Sequence, residues 1–305
     1  MRIPWQMFLV AAAAVAGVGA CAPARRPIDW QAVEREGRLV DKPEGIDVLK
    51  GGQQFRWGDG EVELTVNHVG GPLRTGARLF VDLQGADGSP TPFLVDTGTT
   101  ASFLSSTAPL AREVRIARKA TYQVEHGRKD VGHLGYLPTV RMGPLSGRDL
   151  AVGITELSHT AREPANVLGL IHIFHTQMEY DGGGWWLRSG ATRRPATESG
   201  WTLVRLELGT PFVRVRDPSG QEVYAMVDTG ANASAAVQGY PEGDYTVLAA
   251  DGSVALRIPA RHTAPWPGLE QSGYKISVVI GMDALSSRPS RLTLDQSAWS
   301  FPPRP

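Results

Sequence analysis

Short runs of alternating or β-branched residues recur along the chain from residue 61 onward, and turns rich in Gly, Pro and Asp separate them. Spacing of roughly ten residues between short apolar runs is typical of all-β proteins. The pattern predicts strands at 62–66, 78–83, 93–95, 138–142, 150–154, 202–208, 212–216, 224–227, 253–258 and 276–280. We therefore expect an all-β fold without long helices.

The start of the chain follows a different pattern. Arg2 precedes an apolar, alanine-rich run at 8–18, and small residues lead to Cys21. A run this short is typical of a secretory signal peptide and not of a membrane-spanning helix. The segment resembles a bacterial lipobox, which implies that residues 1–20 are a signal peptide and that Cys21 is lipidated. An ordinary signal peptide cleaved nearby is the alternative. Because Ala22 follows the cysteine, the resemblance implies the outer membrane, on the periplasmic side of the envelope.

Polar segments divide the remainder of the chain. Residues 21–60 are mixed and proline-containing, and we expect a tether and N-terminal segment there, with one or two helical turns at 30–40. A second polar stretch of small residues ends just before residue 201. These boundaries predict lobe 1 at 61–190, a linker at 191–200 and lobe 2 at 201–305.

Composition excludes several classes of function. The chain has 31 Lys and Arg against 31 Asp and Glu, so its charge balance does not favour a nucleic-acid partner. The 35 glycines and 22 prolines together make up about 19% of the 305 residues, above a combined average of roughly 12%. This excess favours tight turns between short strands. A single cysteine excludes an internal disulfide and a cysteine-ligated zinc ribbon.

An internal repeat organises the predicted strands. At an offset of 132 residues the chain matches itself without a gap between residues 80 and 102. Each copy has a strand, a tight turn, an apolar strand and then Asp-Thr-Gly. The matched pairs are Phe80 with Phe212, Gly88 with Gly220, Asp96 with Asp228, and Ser102 with Ser234.

Each copy also carries a later motif of two apolar residues and a glycine, which ends at Gly169 in the first copy and at Gly281 in the second. A strand-like segment containing an aspartate then closes each copy, at 178–181 and at 292–295. The recurrence of four features in the same order makes a chance repeat of Asp-Thr-Gly an inadequate explanation.

These motifs resemble those of the aspartic peptidases, the clan of pepsin-like and retropepsin-like enzymes, over residues 62–303. The resemblance implies a bilobed all-β, pepsin-like architecture of two retropepsin-like lobes, with an active-site cleft between them and no cofactor or metal. It implies that Asp96 and Asp228 are catalytic. The residues implied to support the active-site loops are Thr97, Gly98, Thr99, Thr229, Gly230, Ala231, Gly169 and Gly281.

The chemistry of the pattern can be argued from the residues themselves. Peptide hydrolysis without a metal or a covalent nucleophile needs an activated water and a proton donor. Two neighbouring carboxyl groups supply both, because like charges held close together do not readily ionise at the same time. The adjacent glycines allow close backbone approach, and free amides can bond each carboxylate. The resemblance implies that the threonine hydroxyls bond across to the opposite loop.

The two loops differ at one position. Thr99 follows the first Asp-Thr-Gly, whereas Ala231 follows the second. A hydroxyl at this position can donate to the carboxylate and favour its charged form. Our hypothesis is that Asp96 carries the charge and Asp228 the proton more often, and that the pH optimum lies above that of acid-adapted relatives.

The family closes its cleft with a β-hairpin flap, and the candidate in lobe 1 spans residues 121–140, with Tyr122 or Tyr136 as the aromatic that faces substrate. The corresponding stretch in lobe 2 is 245–258, which is shorter. Ordinary surface hairpins are the alternative interpretation.

Other polar residues have structural interpretations. His172 and His175 lie close to Gly169, but no third metal ligand is evident, so we expect structural histidines. Ser102 and Ser234 lack the surroundings of a nucleophilic serine and are expected to support the loops.

The sequence thus predicts an aspartic endopeptidase tethered to the cell envelope by a lipid anchor. It would act as a monomer on polypeptides bound in extended form. A non-catalytic peptide-binding module of the same fold is the alternative from another class. A third possibility is an enzyme inhibited by residues 22–60.

Overall fold

The computed structural model describes residues 55–69, 76–123, 129–155, 166–207, 210–261, 263–264, 269–271 and 274–303. Within these ranges the chain forms 21 strands, and its helices are single short turns. The predicted all-β class is therefore confirmed. The predicted helical turns at 30–40 lie outside the described residues, as does Cys21.

The first half of the described chain contains ten strands. They are β1 (Gly60–Val69), β2 (Gly76–Gln84), β3 (Pro90–Asp96), β4 (Phe103–Ser105), β5 (Arg115–Gln123), β6 (Lys129–Met142), β7 (Leu145–Thr155), β8 (Asn166–Gly169), β9 (Gln177–Tyr180) and β10 (Trp185–Ser189). A one-turn helix, α1 (Leu170–Ile173), follows β8, and 3-10 turns lie at Pro109–Glu113 and Gly190–Thr192.

The second half contains eleven strands. They are β11 (Thr202–Arg205), β12 (Phe212–Arg216), β13 (Glu222–Val227), β14 (Ala235–Val237), β15 (Gly243–Leu248), β16 (Val254–Ala260), β17 (Thr263–Ala264), β18 (Leu269–Gln271), β19 (Tyr274–Ile280), β20 (Ser290–Thr293) and β21 (Ala298–Phe301). A second one-turn helix, α2 (Met282–Leu285), follows β19, and a 3-10 turn lies at Leu294–Gln296.

The sequence repeat is also a repeat of strand pairing. β2 pairs antiparallel with β3 so that Phe80 lies opposite Leu94, and β12 pairs with β13 so that Phe212 lies opposite Met226. Both residues of the second pair are 132 positions after those of the first, so the register is the same. Each Asp-Thr-Gly strand then lies parallel to the strand of the apolar-apolar-Gly motif, β3 beside β8 and β13 beside β19.

The strands assemble into two sheets. The larger has 13 strands in the order β11-β21-β20-β9-β10-β1-β2-β3-β8-β4-β7-β6-β5, and the smaller runs β16-β15-β12-β13-β19-β14-β17 with β18 beside β19. The segment from β11 to β1 draws strands from both lobes. Its lobe-to-lobe contact is the antiparallel pair β9–β20, in which Met178 lies opposite Leu292. The lobes therefore share continuous backbone hydrogen bonding.

A buried ion cluster crosses the same strand pair. The Glu179 carboxylate in β9 accepts hydrogen bonds from Arg188 (2.9 Å), Arg194 (3.0 Å) and, across the lobe boundary in β20, Arg291 (3.0 Å). The side chains of Glu179 and Arg291 are only 6% and 2% exposed. Since an unpaired buried charge costs several kcal/mol, these partners must stay together for β9 and β20 to pair as they do.

The N-terminal boundary of the first lobe differs from the prediction. Phe55 and Trp57, which the sequence assigned to the tether, are buried in the core. The Trp57 Nε1–H donates to the carbonyl of His172 at 2.9 Å, and the Phe55 ring meets the His172 ring edge-on at 5.0 Å. Residue 55 therefore already belongs to the folded first lobe. The predicted linker at 191–200 lies between β10 and β11.

Among the residues that the structure describes, no helix has the length and apolar character needed to cross a membrane.

Candidate active site

The two Asp-Thr-Gly loops lie at the ends of equivalent buried strands. Asp96 is the last residue of β3, and Asp228 directly follows β13. Both strands end in consecutive buried residues, so each carries its aspartate into the interior. The two aspartates are 0% and 1% exposed.

Each carboxylate is held by its own loop, but with different numbers of donors. One oxygen of Asp96 accepts from the backbone N–H groups of Gly98 (2.8 Å) and Thr99 (3.1 Å), and the other accepts from the Thr99 hydroxyl (2.7 Å). Asp228 accepts two backbone bonds, from Gly230 (2.8 Å) and Ala231 (3.2 Å). The second loop has no hydroxyl at this position, because alanine replaces threonine.

The glycine of each loop lies against the aspartate of the other. A methyl group added at Gly98 would lie 2.6 Å from the carboxyl carbon of Asp228, and one at Gly230 would lie 2.5 Å from that of Asp96. Atoms cannot approach so closely, so only glycine fits at either position. The same geometry shows that the two carboxyl groups face each other across the loop contact.

Burial and proximity perturb the two carboxyl groups unequally. Burial raises the pKa of Asp96, and the hydrogen bond from the Thr99 hydroxyl opposes that rise. The pKa of Asp228 is raised well above its ordinary value by burial, by the charge of Asp96 and by a hydrogen bond between the two carboxyl groups. The pair thus favours a proton on Asp228 and a charge on Asp96.

Reciprocal threonine hydrogen bonds lock the loops together. The Thr97 hydroxyl donates to the carbonyl of Val227 (2.7 Å) and accepts from the N–H of Thr229 (3.1 Å). The Thr229 hydroxyl donates to the carbonyl of Val95 (2.8 Å) and accepts from the N–H of Thr97 (3.1 Å). Both threonines are almost completely buried. Four hydrogen bonds related by the 132-residue repeat therefore fix the relative position of the aspartates.

The apolar-apolar-Gly motifs support the loops from behind. Gly169 lies beside Asp96 in the parallel pairing of β8 with β3, and the next residue, Leu170, donates its N–H to the Thr99 carbonyl at 2.7 Å. In lobe 2, Met282 after Gly281 donates to the Ala231 carbonyl at 2.9 Å. The glycines are required, since a methyl group at either would collide with loop backbone.

The repeat-related serines complete this support. Gly169 donates its N–H to the Ser102 hydroxyl oxygen at 2.9 Å, and Gly281 does the same to Ser234 at 3.0 Å. Each serine thus joins a loop to the motif behind it, and both serines are almost completely buried. The sequence did not identify Asp283, whose carboxyl oxygen accepts a hydrogen bond from the Ser234 hydroxyl at 2.7 Å.

The candidate flap is the longer of two equivalent hairpins. β5 and β6 pair antiparallel from Arg115 and Tyr136 to Gln123 and Lys129, and the tip between them lies outside the described residues. The lobe 2 counterpart, β15–β16, is shorter. Tyr136 is buried at the base of the lobe 1 hairpin, with β5 on one side and β7 on the other, so its position differs from that expected of a tip aromatic. Tyr122 pairs with Asp130 next to the tip, and its side chain lies outside the description.

The two neighbouring histidines make separate contacts. His172 is buried beside Ser102, with 2.6 Å between its Nδ1 and the serine hydroxyl. His175 lies 3.3 Å from a carboxylate oxygen of Asp295, which also forms a bidentate ion pair with Arg193. In the described part of the chain, no three His, Cys, Asp or Glu side chains cluster as metal ligands would.

Comparisons with known proteins agree with this geometry. A family model described as aspartyl protease matches residues 81–170, which include the first aspartate loop and Gly169. The solved structure of an aspartic proteinase from Irpex lacteus is similar to this chain at a TM-score of 0.51 and 12% identity, and the match covers 80% of this chain and 96% of that one. No curated protein sequence matches.

The fold and the paired loops define a bilobed, pepsin-like protein of the all-β class. The family match over residues 81–170 and the shared fold both support membership of the aspartic peptidase clan.

Proposed function

We propose that this protein is an aspartic endopeptidase in which Asp96 and Asp228 share one proton and activate a water molecule. The observation that carries the proposal is the facing arrangement of two buried carboxyl groups, each with backbone donors and each packed against the glycine of the opposite loop. A protein that only binds peptides has no need of two unequally ionised carboxyl groups in one buried site.

The unequal pKa values define the roles of the two aspartates. Asp96, with its three hydrogen-bond donors, is the charged member and takes a proton from water as the water oxygen attacks the peptide carbonyl carbon. Asp228, which retains its proton, donates that proton to the carbonyl oxygen. The product of this step is a tetrahedral diol, with the proton from water now on Asp96.

The second step restores the starting state. Asp96 gives its proton to the leaving nitrogen as the C–N bond breaks, and Asp228 recovers a proton from a diol hydroxyl as the new carboxyl group forms. One water is consumed, one peptide bond is cleaved, and Asp96 is charged again. No cofactor or metal takes part in this scheme.

The proposed substrates are polypeptides held in extended form between the lobes, under the β5–β6 hairpin. An extended peptide exposes its backbone groups to strand edges, which gives binding without strong dependence on sequence. Tyr122, next to the hairpin tip, is the aromatic that we propose to contact substrate.

We further propose that the enzyme acts as a monomer in the cell envelope. Both aspartates lie on one chain, so a second copy is unnecessary. The lipobox-like sequence ending at Cys21 supports a lipid anchor in the outer membrane on its periplasmic side. A tether of this kind restricts the enzyme to nearby envelope proteins, which favours limited processing over bulk digestion.

The test uses soluble protein lacking residues 1–21, incubated with a diverse peptide mixture from pH 3 to 8 and analysed by mass spectrometry. Asp96→Asn and Asp228→Asn are run in parallel, with Asp181→Asn as a control, because Asp181 lies in an exposed turn. We expect cleavage that both active-site variants lose and the control retains. Cleavage that persists in both variants would refute the dyad.

Absence of cleavage would point to one of two alternatives. Protein beginning at residue 55 distinguishes them, because it keeps Phe55 and Trp57 in the core and removes the segment that could inhibit the enzyme. Activity in this shorter protein alone would indicate inhibition by residues 22–54. Folded protein without activity in either form would indicate a peptide-binding module.

A further inference from the structure

The two repeat-related serines differ in the partner of their hydroxyl hydrogen bond. The Ser234 hydroxyl donates a hydrogen bond to the carboxyl group of Asp283, an exposed residue. Ser102 instead lies 2.6 Å from Nδ1 of His172, a side chain that is 2% exposed. The support of the first loop therefore depends on an imidazole where the second depends on a carboxylate.

The hydrogen bonds around Ser102 favour one tautomer of His172. The Ser102 oxygen accepts the Gly169 N–H, and Nδ1 is the partner that the described residues offer to the serine proton, so we infer that Ser102 donates to the ring nitrogen. Nδ1 is then an acceptor, and a neutral imidazole with an acceptor at Nδ1 carries its proton on Nε2. Within the described residues, Nε2 has no hydrogen-bond partner.

The pocket around His172 opposes a positive charge. The Phe55 ring meets the imidazole edge-on, and Trp57 is bonded to the backbone carbonyl of His172. Burial lowers the pKa of His172 to about 3, and no charged group contributes to that shift. The titratable groups on adjoining elements include Asp96, which lies beside Gly169 in the strand pairing, and His175, whose ring faces Asp295.

We propose that His172 is a positioning residue for the first active-site loop: while neutral it holds Ser102 against Gly169, and its protonation at acid pH releases that support from Asp96. The proposal rests on the proposed function in so far as the loop is catalytic. Protonation of Nδ1 would turn the ring into a donor and leave the Ser102 proton without its acceptor, so we expect the first loop to lose this support at acid pH.

The sign of the pH effect follows from the shift. A histidine whose folded pKa lies below its ordinary value of 6.5 stabilises the fold fully above pH 6.5, and the contribution is lost as pH falls toward 3. Between those limits, the unfolded chain binds a proton that the folded chain does not. The ratio of folded to unfolded protein is therefore expected to fall by up to about tenfold per pH unit from this group.

The first experiment reads the imidazole directly. Nitrogen NMR of ¹⁵N-histidine-labelled protein should show His172 as the neutral Nε2–H tautomer at pH 7, and the ring should remain neutral down to about pH 4. The Ser102→Ala variant identifies the resonance by changing the environment of Nδ1. A proton on Nδ1 at neutral pH, or titration near pH 6.5, would overturn the proposal.

The second experiment compares two substitutions at the same position. His172→Asn keeps an acceptor near the place of Nδ1 but does not titrate, whereas His172→Leu removes the acceptor. We expect Leu to lower kcat about tenfold with KM unchanged, the equivalent of one hydrogen bond, and Asn to recover activity and extend it to lower pH. His175→Asn is the matched control and should have the wild-type pH profile.

Each remaining outcome is decisive. A folded Leu variant with wild-type kcat and acid limit would refute the positioning role, as would an Asn variant whose stability still depends on pH as in the wild type. If the Leu variant does not fold, Ser102→Ala carries the same kcat test. If the wild-type protein cleaves no peptide, the proposed function fails, while the tautomer and the pH dependence of unfolding still test His172.

Discussion

The interlock of the two loops predicts the effect of removing a single hydroxyl group. In Thr97→Val, the carbonyl of Val227 loses its donor and the N–H of Thr229 loses its acceptor, although the side-chain volume is nearly unchanged. Each buried backbone group left without a partner costs about 1–3 kcal/mol. Two such groups lower the expected free energy of unfolding by about 2–6 kcal/mol, a large share of the total for a protein domain.

Urea unfolding at pH 7 measures this loss, and Thr246→Val is the matched control. Thr246 lies in a strand, and its hydroxyl makes no hydrogen bond within the described part of the chain, so its replacement should change stability by less than about 0.5 kcal/mol. A loss below about 1 kcal/mol in Thr97→Val would show that water or loop movement satisfies the exposed groups, which would refute the rigid interlock.

The repeat adds a second requirement to the same prediction. Thr229→Val breaks the two equivalent bonds, with Thr97 N–H and the Val95 carbonyl, and should cost about as much as Thr97→Val. Once one hydroxyl is absent, the loops can separate and admit water, so the double variant should lose less stability than the two single losses added together. Strict additivity would mean that the loops are held by other contacts.

Three further predictions concern the site and its frame. Ala231→Ser adds a hydroxyl beside Asp228, whose pKa is raised, and the hydroxyl should favour the charged form of Asp228. We expect the pH–rate profile to move toward lower pH, and a profile that does not move would count against the assigned role of this hydroxyl. Gly98→Ala places a methyl group against the carboxyl group of Asp228 and should lower kcat for peptide cleavage at least about 100-fold. A wild-type kcat would show that Gly98 and the Asp228 carboxyl group are not in contact. Glu179→Gln removes the buried charge shared by three arginines, although Arg291 keeps Glu198, and should cost about 3 kcal/mol in urea unfolding. Glu222→Gln, in an exposed pair, should cost less than about 1 kcal/mol, and equal losses would contradict the assigned burial.

The repeat is the part of the molecule that sequence reasoning predicted best. Matching Phe80 with Phe212 and Asp96 with Asp228 at one offset predicted two equivalent strand pairs, and the registers agree with that offset. This succeeded because burial on both faces leaves an apolar strand with little freedom, and a glycine required by close approach cannot vary.

Features formed by residues distant in sequence could not be predicted from the sequence. Phe55 and Trp57 stand among polar residues, and only the folded structure shows that they lie against His172 and Gly147 in β7. The sequence repeat did not predict the different partners of Ser102 and Ser234 either. These partners lie at different distances along the chain after the two motif glycines. A pattern of single residues carries no signal for such pairings.

The pairing of β9 with β20 also determines which lobe can associate with which. Met178 lies opposite Leu292, so an approximate twofold axis passes between these residues. Two copies of β9 arranged about that axis would set Glu179 opposite the uncharged Gln177, and two copies of β20 would set Arg291 opposite a threonine. Only the unlike combination joins Glu179 to Arg291. The two halves thus behave as a covalently linked heterodimer, and the buried ion pair discriminates against assembly of like halves from separate chains.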